Sequence, residues 1–596
     1  MADIADTSNG VDLSNPDIQE CLREPIHLSG AIQPHGYLVS CSPGDWRVRH
    51  ASANIDALLG VPAASLLGQS LREFVEDDVI DRINDAIAGS EPNAAAQRAC
   101  TTNVGTKMTV CDVTAHVADG LVHVEFEPQP YRRQELPPTA VAQFMVAQAD
   151  MGGEDEAFFQ RAAEQVRSLT GYDRVMVYRF REDDSGEVIA ETCAAGMEPY
   201  LGLRYPATDI PPQARVLYLR NRIRVIPDAR YEPVPLVPGT RDDGAPLDLS
   251  QHVLRSVSPV HLEYLANMGV VASMSISIIS GGRLWGLIAC HHPTPRPLSA
   301  NVRASADLFG RFVSMWVSAR EQELTMSRYE NAQRLRDALA QRLAQARDFD
   351  AALVDEIEAM QRVIDCDGAA LWVGGQWHAK GRTPDAAQAG ALLDWLRGQD
   401  DAQQVAMTDS ADDWRAARGD AEGLAGLLAI NLGSADDWLF LFRVEQVEQV
   451  RWAGEPKKAL VLTDDGQRIA PRKSFAIWRE TVQGRSAPWS DSDKRGADRL
   501  HRVLREQRRR ALAHAREMDE LDRRYQRQRM LDQKSRLENL STMLEGLIHL
   551  EDDDTAQLAA RIDRLESDLR AMMHKAGSRA GTPAAQDGVQ PTTEAG

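Results

Sequence analysis

Between Asn301 and Arg347 the chain contains no proline and a single glycine, Gly310, while its apolar residues recur at helical spacing. That pattern dictates one long helix, and a helix of such length does not fit inside one small core. It must leave one module and enter the next. The total of 596 residues agrees, because a chain of this size divides into roughly three to five domains. The composition, 43% hydrophobic, is that of globular material, and no apolar run approaches the roughly twenty residues that span a bilayer. The first twenty residues are polar and acidic, without a charged-then-apolar leader, which predicts a cytoplasmic protein. A net charge of −21, from 67 basic and 88 acidic residues, argues against wrapping nucleic acid. Cys21, Cys41, Cys100, Cys111, Cys193, Cys290 and Cys366 are irregularly spaced and form no CxxC pair. Neither a zinc site nor a disulfide framework is implied, and buried free thiols in a reducing compartment are expected for most of them.

The pattern along the chain separates several modules. Residues 1–20 read as a flexible arm. From there to about 130, short alternating segments such as TKMTVCDVTAHVADGLVHVEFEP from Thr106 predict an antiparallel hairpin turning at glycine, with helices around Ala51–Leu59 and Leu71–Ile87. This resembles a small α+β sensor module of the PAS type. A proline-bearing linker at 127–142 precedes an amphipathic helix at Glu154–Leu169. DRVMVYRF from Asp173 and GEVIAETC from Gly186 read as strands, and Val271–His292 reads as a hairpin with Gly281-Gly282 at its turn. That pattern resembles a GAF domain, a six-stranded sheet with helices on both sides of a pocket. Residues 350–490 again mix helix and strand, with LAGLLAINLG and DWLFLFRV as strands. After Trp489 the chain is almost wholly helical to about Lys575. Leu537, Leu540, Leu544 and Leu547, then Leu558, Ile562, Leu565, Leu569 and Met572, step alternately by three and four, a coiled-coil seam interrupted at EDDDT, 551–555. The polar segment 576–596 predicts a disordered tail.

Two further segments narrow the reading. Cys21 stands just ahead of EPIHLSGAIQPHG, which begins at Glu24, and PATDIPPQARVLY follows from Pro206. Together these resemble the bacterial phytochromes, red-light receptors in which an N-terminal thiol holds a linear tetrapyrrole inside a GAF pocket. The resemblance implies an α+β multidomain chain: a PAS domain and two GAF-like α/β sandwich domains (GAF and PHY), with a figure-of-eight knot, long connecting helices and a C-terminal coiled coil. The implied boundaries are PAS 21–130, GAF 145–322, PHY 323–500 with a tongue at about 443–490, and a helical output at 501–575. The implied cofactor is biliverdin IXα, thioether-linked through Cys21. A nucleophilic sulfur for that bond must be reachable, and Arg23 lies two residues away. Ile32 would thread a GAF loop as the knot, and Cys41 and Cys290 read as core residues.

A linear tetrapyrrole is a long apolar plate with two propionates and inward-facing pyrrole N–H groups. Its site therefore needs apolar and aromatic walls, cations for the carboxylates, and an acceptor near the nitrogens. By the match, the backbone carbonyl of Asp209 is that acceptor, and its carboxylate faces the third domain. Arg224 and Arg255 clamp the propionates, helped by Tyr218, Ser258, Ser273 and Ser275. His261 stacks near the central rings and His291 meets the carbonyl of the isomerising ring. Met176, Tyr178, Tyr205 and Tyr264 wall that ring.

PRKSFAIWRE from Pro471 resembles the PRxSF element of the PHY tongue. The match implies an ion pair between Arg472 and Asp209, with Ser474 taking over after illumination and Trp452, Trp478 and Trp489 repacking. These are parts of a bistable switch. No phosphoacceptor histidine, ATP-binding box or GGDEF-type run is found beyond 500, where His514 and His549 lack the necessary context. The basic run RVLREQRRRALAHAR from Arg502 reads as a solvated helix face or coiled-coil flank. The expectation is a non-enzymatic red/far-red photoreceptor, homodimeric through helices near 301–345 and 500–575. It would pass its signal to a downstream signalling protein, without membrane or nucleic acid. The alternative is the sensory part of a light-regulated two-component enzyme, such as a histidine kinase, whose catalytic domain is absent or separate.

Overall fold

The computed structural model describes residues 24–91, 94–129, 137–148, 154–398, 404–419, 423–433, 437–456, 460–463, 466–469, 474–548 and 555–577. Cys21 and Arg472, the arm at 1–20 and most of the tail at 576–596 lie outside them. By internal contacts one body takes in residues to Leu339 together with Val354–His501, and a second takes in Ala340–Leu353 and the chain from Arg502.

The first body carries three main sheets. The N-terminal sheet runs in the order Ala31–Ile32, Val234–Val237, Val48–Ser52, Tyr37–Cys41, Leu121–Pro128, Thr109–Ala118, Gln97–Val104. The expected hairpin closes at Asp119-Gly120, both at positive φ, the backbone that a two-residue turn between twisted strands favours. One face packs Val39, Val48, Val113, Val124 and Phe126 against the helix Asp77–Ile87 and its neighbours. The helix expected over Ala51–Leu59 shrinks to Asp56–Leu59, because the backbone of Ala51 is taken by ladder bonds to Val39 and Val237. That over Leu71–Ile87 breaks into a 3-10 turn at Leu71–Glu73 and the helix Asp77–Ile87.

The second sheet has six strands from residues 174–292, in the order Ile223–Ile226, Ala272–Ser280, Arg283–His292, Arg174–Phe180, Gly186–Cys193, Arg204–Tyr205. Two more strands, Glu448–Ala453 and Ile477–Val482, extend it, with Trp452 bridging Arg204 in parallel. One face, from Val175, Val177, Met274, Ile276, Ile288 and Cys290, packs against Phe158 and Phe159 of the helix Asp155–Thr170 and Phe309, Val313 and Trp316 of the helix Ala300–Gln345. Gly310 is the one glycine in that long helix because a Cβ there would lie 2.4 Å from Ile276 Cγ2.

Between the strand Ile223–Ile226 and the helix Pro259–Asn267 the chain makes a wide loop, and the segment 27–33 passes through it. One limb bonds to it from Leu236 N–H to Gly30 O (3.0 Å), and the other through Gln33 N–H to Leu254 O (2.7 Å) and Ser256 N–H to Ala31 O (2.9 Å). Tyr231 Oη links the limbs, lying 3.0 Å from Ser256 Oγ and accepting from Val257 N–H at 2.7 Å. Ile32 sits inside with no exposed surface. This is the figure-of-eight threading. The limbs also cover the second face of the N-terminal sheet, where Glu125 accepts from Leu254 N–H (2.7 Å) and Glu127 grips Arg303 of the long helix through both its oxygens (2.7 and 2.9 Å).

A third, five-stranded antiparallel sheet runs Gln376–Gly381, Gly368–Val373, Trp438–Val444, Leu424–Asn431, Val405–Thr408. Its strand Leu424–Asn431 is buried at every position, which is why it reads as a continuous apolar run. In the second body the part of the helix Asp491–Ile548 from Arg502, and the helix Thr555–Gly577, expose Leu512, Leu521, Leu537 and Ile562. Their charged faces are laced by pairs four residues apart such as Arg510–Glu506 and Arg523–Asp519. Among the described residues no helix is long and apolar enough to cross a membrane.

Candidate functional site

Strand alternation sets the chemistry of the six-stranded sheet's second face. With Met274 and Ile276 in the core, Ser273 and Ser275 must face the other way, and the register aligns them with their neighbours. Arg224, Ser275, Ala289 and Met176 lie opposite one another across four strands. Ser273 and His291 form the next row, and Leu287 and Tyr178 the row on the other side. The face therefore grades from guanidinium through hydroxyl to thioether and phenol. Beyond Met176 and Tyr178 the wall continues through Tyr200, Leu203, Tyr205 and Leu287. The rings of Tyr178 and Tyr205 are 5.8 Å apart.

At the polar end, Arg224 donates to the carbonyls of Val253 (3.1 Å) and Arg255, while Arg255 donates to the carbonyl of Ile26 in the threaded segment (2.9 Å). Burial, reinforced by the Arg224 charge, pushes the Arg255 guanidinium down to about 9, and burial also lowers Arg224. Among the described residues neither forms an ion pair with a carboxylate. Two cations sharing a buried region without an anion are costly unless something negative joins them.

The helix Pro259–Asn267 stacks His261 on Tyr264 with centroids 6.1 Å apart. Tyr264 donates to Asp209 Oδ2 at 3.3 Å, and Asp209 ends the 3-10 turn Ala207–Asp209. Ser258 caps the same helix and donates to Glu24 Oε2 at 3.0 Å, which ties the first described residue to the cavity. Tyr218, on the helix Pro212–Arg220, has its carbonyl held by Ser277 Oγ. Tyr205 Oη, His291 Nδ1 and Arg255 Nε are among the buried polar atoms with no hydrogen-bond partner among the described residues. Burial pushes His291 down to about 3, with Arg174 and His261 adding to it, so its ring is neutral.

The strands Glu448–Ala453 and Ile477–Val482 close one side of the site. Ala453 is buried among Met176, Tyr178 and Tyr205, Phe475 packs edge-on against Tyr264 at 5.3 Å, and Arg451 donates to Leu201 O at 3.3 Å. Trp452 is buried and pairs across the strands with Trp478, which is 37% exposed. Ser474 is exposed and lies 3.4 Å from Ala476 N–H, and Trp489 is held away from the cavity by Thr408 O (2.9 Å) and the Arg443 guanidinium.

Sequence reasoning missed several supports. Arg174 and Glu191 form a buried ion pair (3.0 Å), and Glu191 accepts from Tyr200 and Leu201 N–H, fixing the loop that carries the aromatic wall. Gln33 Nε2 donates to Val225 O at 3.1 Å, joining the threaded segment to the Arg224 strand. Gly186 leaves room for the Tyr178 ring, whose Cζ would lie 1.7 Å from a Cβ. Its only signal was a glycine ending a turn.

Three family models match in chain order: "PAS fold" over 21–129, "GAF domain" over 155–315 and "Phytochrome region" over 332–512. The chain is similar to a bacteriophytochrome of Pseudomonas aeruginosa, 38% identical over 93% of this chain and 76% of that one. It is also similar to cyanobacterial phytochrome B of Nostoc, 36% identical over 82% of this chain and 66% of the relative. Among solved structures, a bacteriophytochrome of the photosynthetic bacterium R. palustris superposes with a TM-score of 0.70 at 34% identity, covering 82% of this chain and 99% of that one.

Proposed function

Because this chain belongs to the phytochrome family, we propose that it is a red/far-red photoreceptor whose six-stranded sheet holds biliverdin, bound through Cys21 and switched by light. The observation that carries the reading is the pair of a half-buried Arg224 and a buried Arg255, two guanidinium groups without a carboxylate partner among the described residues. Two propionates supply the missing charge. Met176, Tyr178 and Tyr205 would wall the apolar part of the tetrapyrrole, and the lone Nδ1 of His291 and hydroxyl of Tyr205 would be available to its polar atoms. Glu24 is bonded to Ser258, and three residues of extended chain span at most roughly 11 Å, so the Cys21 sulfur stays within reach of the cavity edge.

When bound, the pigment supplies the chemistry itself, a light-driven isomerisation about one bridge between its rings. The chain's residues orient and seal. Ser273 and Ser275 line the carboxylate end beside Arg224, His261 covers the middle, and Tyr264 holds the Asp209 turn in register. In this reading Asp209 pairs with Arg472 of the tongue, while Ser474, Trp452 and Trp478 change partners when the tongue rearranges. Driving that rearrangement from about 1:99 to 99:1 takes roughly 5.5 kcal/mol of differential preference. The modules divide at 21–130, 145–322 and 323–500. The helices beyond 501 act as a homodimeric, non-catalytic output toward a downstream signalling protein.

The test is direct. Co-expressed with a biliverdin source and then denatured, the chain carries zinc-induced fluorescence and Cys21→Ala does not. The difference spectrum reverses between red and far-red light. Colourless protein in the presence of free biliverdin overturns the proposal.

A further inference from the structure

We propose that His116, His123 and His252 form a binding site for a divalent transition-metal ion, with Zn2+ as the best fit, that rivets the N-terminal sheet to the loop enclosing the threaded segment. The three histidines come from parts of the chain that sequence spacing does not relate. His116 and His123 are direct cross-strand partners on the hairpin Thr109–Ala118 and Leu121–Pro128. His252 lies on the loop limb that bonds to Gln33 and Ala31. Each offers a ring nitrogen, and the three nitrogens lie within 4.8 Å of one another. The rings touch pairwise at 4.9, 4.5 and 4.7 Å between centroids.

All three side chains are buried, at 1%, 0% and 0% exposure. Four of their six ring nitrogens, both of His116 and both of His252, have no hydrogen-bond partner among the described residues. An imidazole packed in a core ordinarily satisfies its N–H, and the His116 ring, with neither nitrogen bonded, is unusual for mere filling, while His252 has only the Leu249 backbone nearby. His123 is bonded through both nitrogens, Nδ1 2.8 Å from Ser40 Oγ and Nε2 3.2 Å from Ala118 O, so ligation through Nδ1 displaces the Ser40 hydroxyl while the Ala118 carbonyl keeps the ring oriented.

An all-imidazole donor set selects Zn2+ or Cu2+ over Mg2+ or Ca2+, which demand oxygen. Tetrahedral Zn2+ with bonds of about 2.0–2.1 Å brings its ligand nitrogens to roughly 3.4 Å apart. The rings must therefore draw together from their present spacing, and a water or Ser40 Oγ completes the shell. Glu125 follows His123 by two residues on the same strand face and is bonded to the N–H groups of Val253 and Leu254, next to His252.

The experiment uses the tag-free full chain with its pigment, stripped by chelator, exposed to excess Zn2+, desalted and analysed for metal. The expected result is about one zinc per chain, retained by neither His116→Gln nor His252→Gln at unchanged pigment content, with a zinc-dependent rise in Tm confined to the parent. Zinc K-edge absorption of the parent should show three imidazole nitrogens, a signature that zinc held by pyrroles does not give. Failure of the parent to retain zinc, equal retention by both variants, or an edge spectrum without imidazole scattering overturns the proposal. The last readout decides the matter even if both variants misfold.

Discussion

Arg224 donates a hydrogen bond to the main-chain carbonyl of Arg255, so the two guanidinium groups of the cavity are held together by backbone and not by a shared anion. Their mutual repulsion is what burial makes expensive. In the pigment-free chain, Arg255→Met should therefore stabilise by about 1–3 kcal/mol once the lost bond to Ile26 O is subtracted. Burial depresses the Arg255 guanidinium to about 9, so the penalty it removes is constant below about pH 9 and fades as pH rises beyond it. In the presence of biliverdin the same substitution should weaken binding at least about tenfold, which is some 1.4 kcal/mol. Chemical denaturation with and without pigment measures both.

His291 gives the opposite end of the pH scale. Its folded pKa, about 3, lies below the unfolded 6.5, so the unfolded chain binds more protons between those values. Stability contributed by keeping this ring neutral is complete above about pH 6.5 and is lost as pH falls toward 3. Thermal melts of the pigment-free chain from pH 7 to pH 4 should fall less steeply in His291→Gln than in the parent, by on the order of a few kcal/mol across the window. Parallel curves would remove His291 from the acid response.

The Tyr178 ring occupies the space that a side chain at residue 186 would take. Gly186→Ala should therefore displace the phenol and cost about 1–3 kcal/mol of stability. If the aromatic wall is the pigment's, the red absorption band should also shift or broaden. An unchanged melt and spectrum would show that the ring has somewhere else to go.

Phe475 meets Tyr264 edge-on at 5.3 Å, a contact of about 0.5–1.5 kcal/mol that reaches from the tongue to the residue holding Asp209. Phe475→Ala should raise amide hydrogen exchange in Glu448–Ala453 several-fold while leaving the buried strand Leu424–Asn431 unchanged. Uniform exchange in both strands would mean that the tongue is anchored by its backbone alone.

Local pattern carried the strands and long helices well, because Gly186–Cys193, the Gly281-Gly282 hairpin and the Pro/Gly-poor run beyond Asn301 each satisfy one period with one kind of turn. It failed at Ala51, where apolar spacing suited a helix but two neighbouring strands claimed the backbone. The candidate site residues could be named only through resemblance, since an arginine or a tyrosine carries no mark of the face it will occupy. The sheet register then brought Arg224, Ser275 and Met176 into one row. The histidine cluster left no trace in spacing, because His252 reaches it through a loop that closes around another part of the chain.

The short strand Arg204–Tyr205 would be the outer margin of its sheet were it not joined to Glu448–Ala453. A fragment ending within the helix Ala300–Gln345 loses that partner and bares a line of main-chain donors and acceptors. Such truncated versions should self-associate through this seam unless it is blunted with charge or proline. The distant strands Glu448–Ala453 and Ile477–Val482 thus serve as a guard against stickiness.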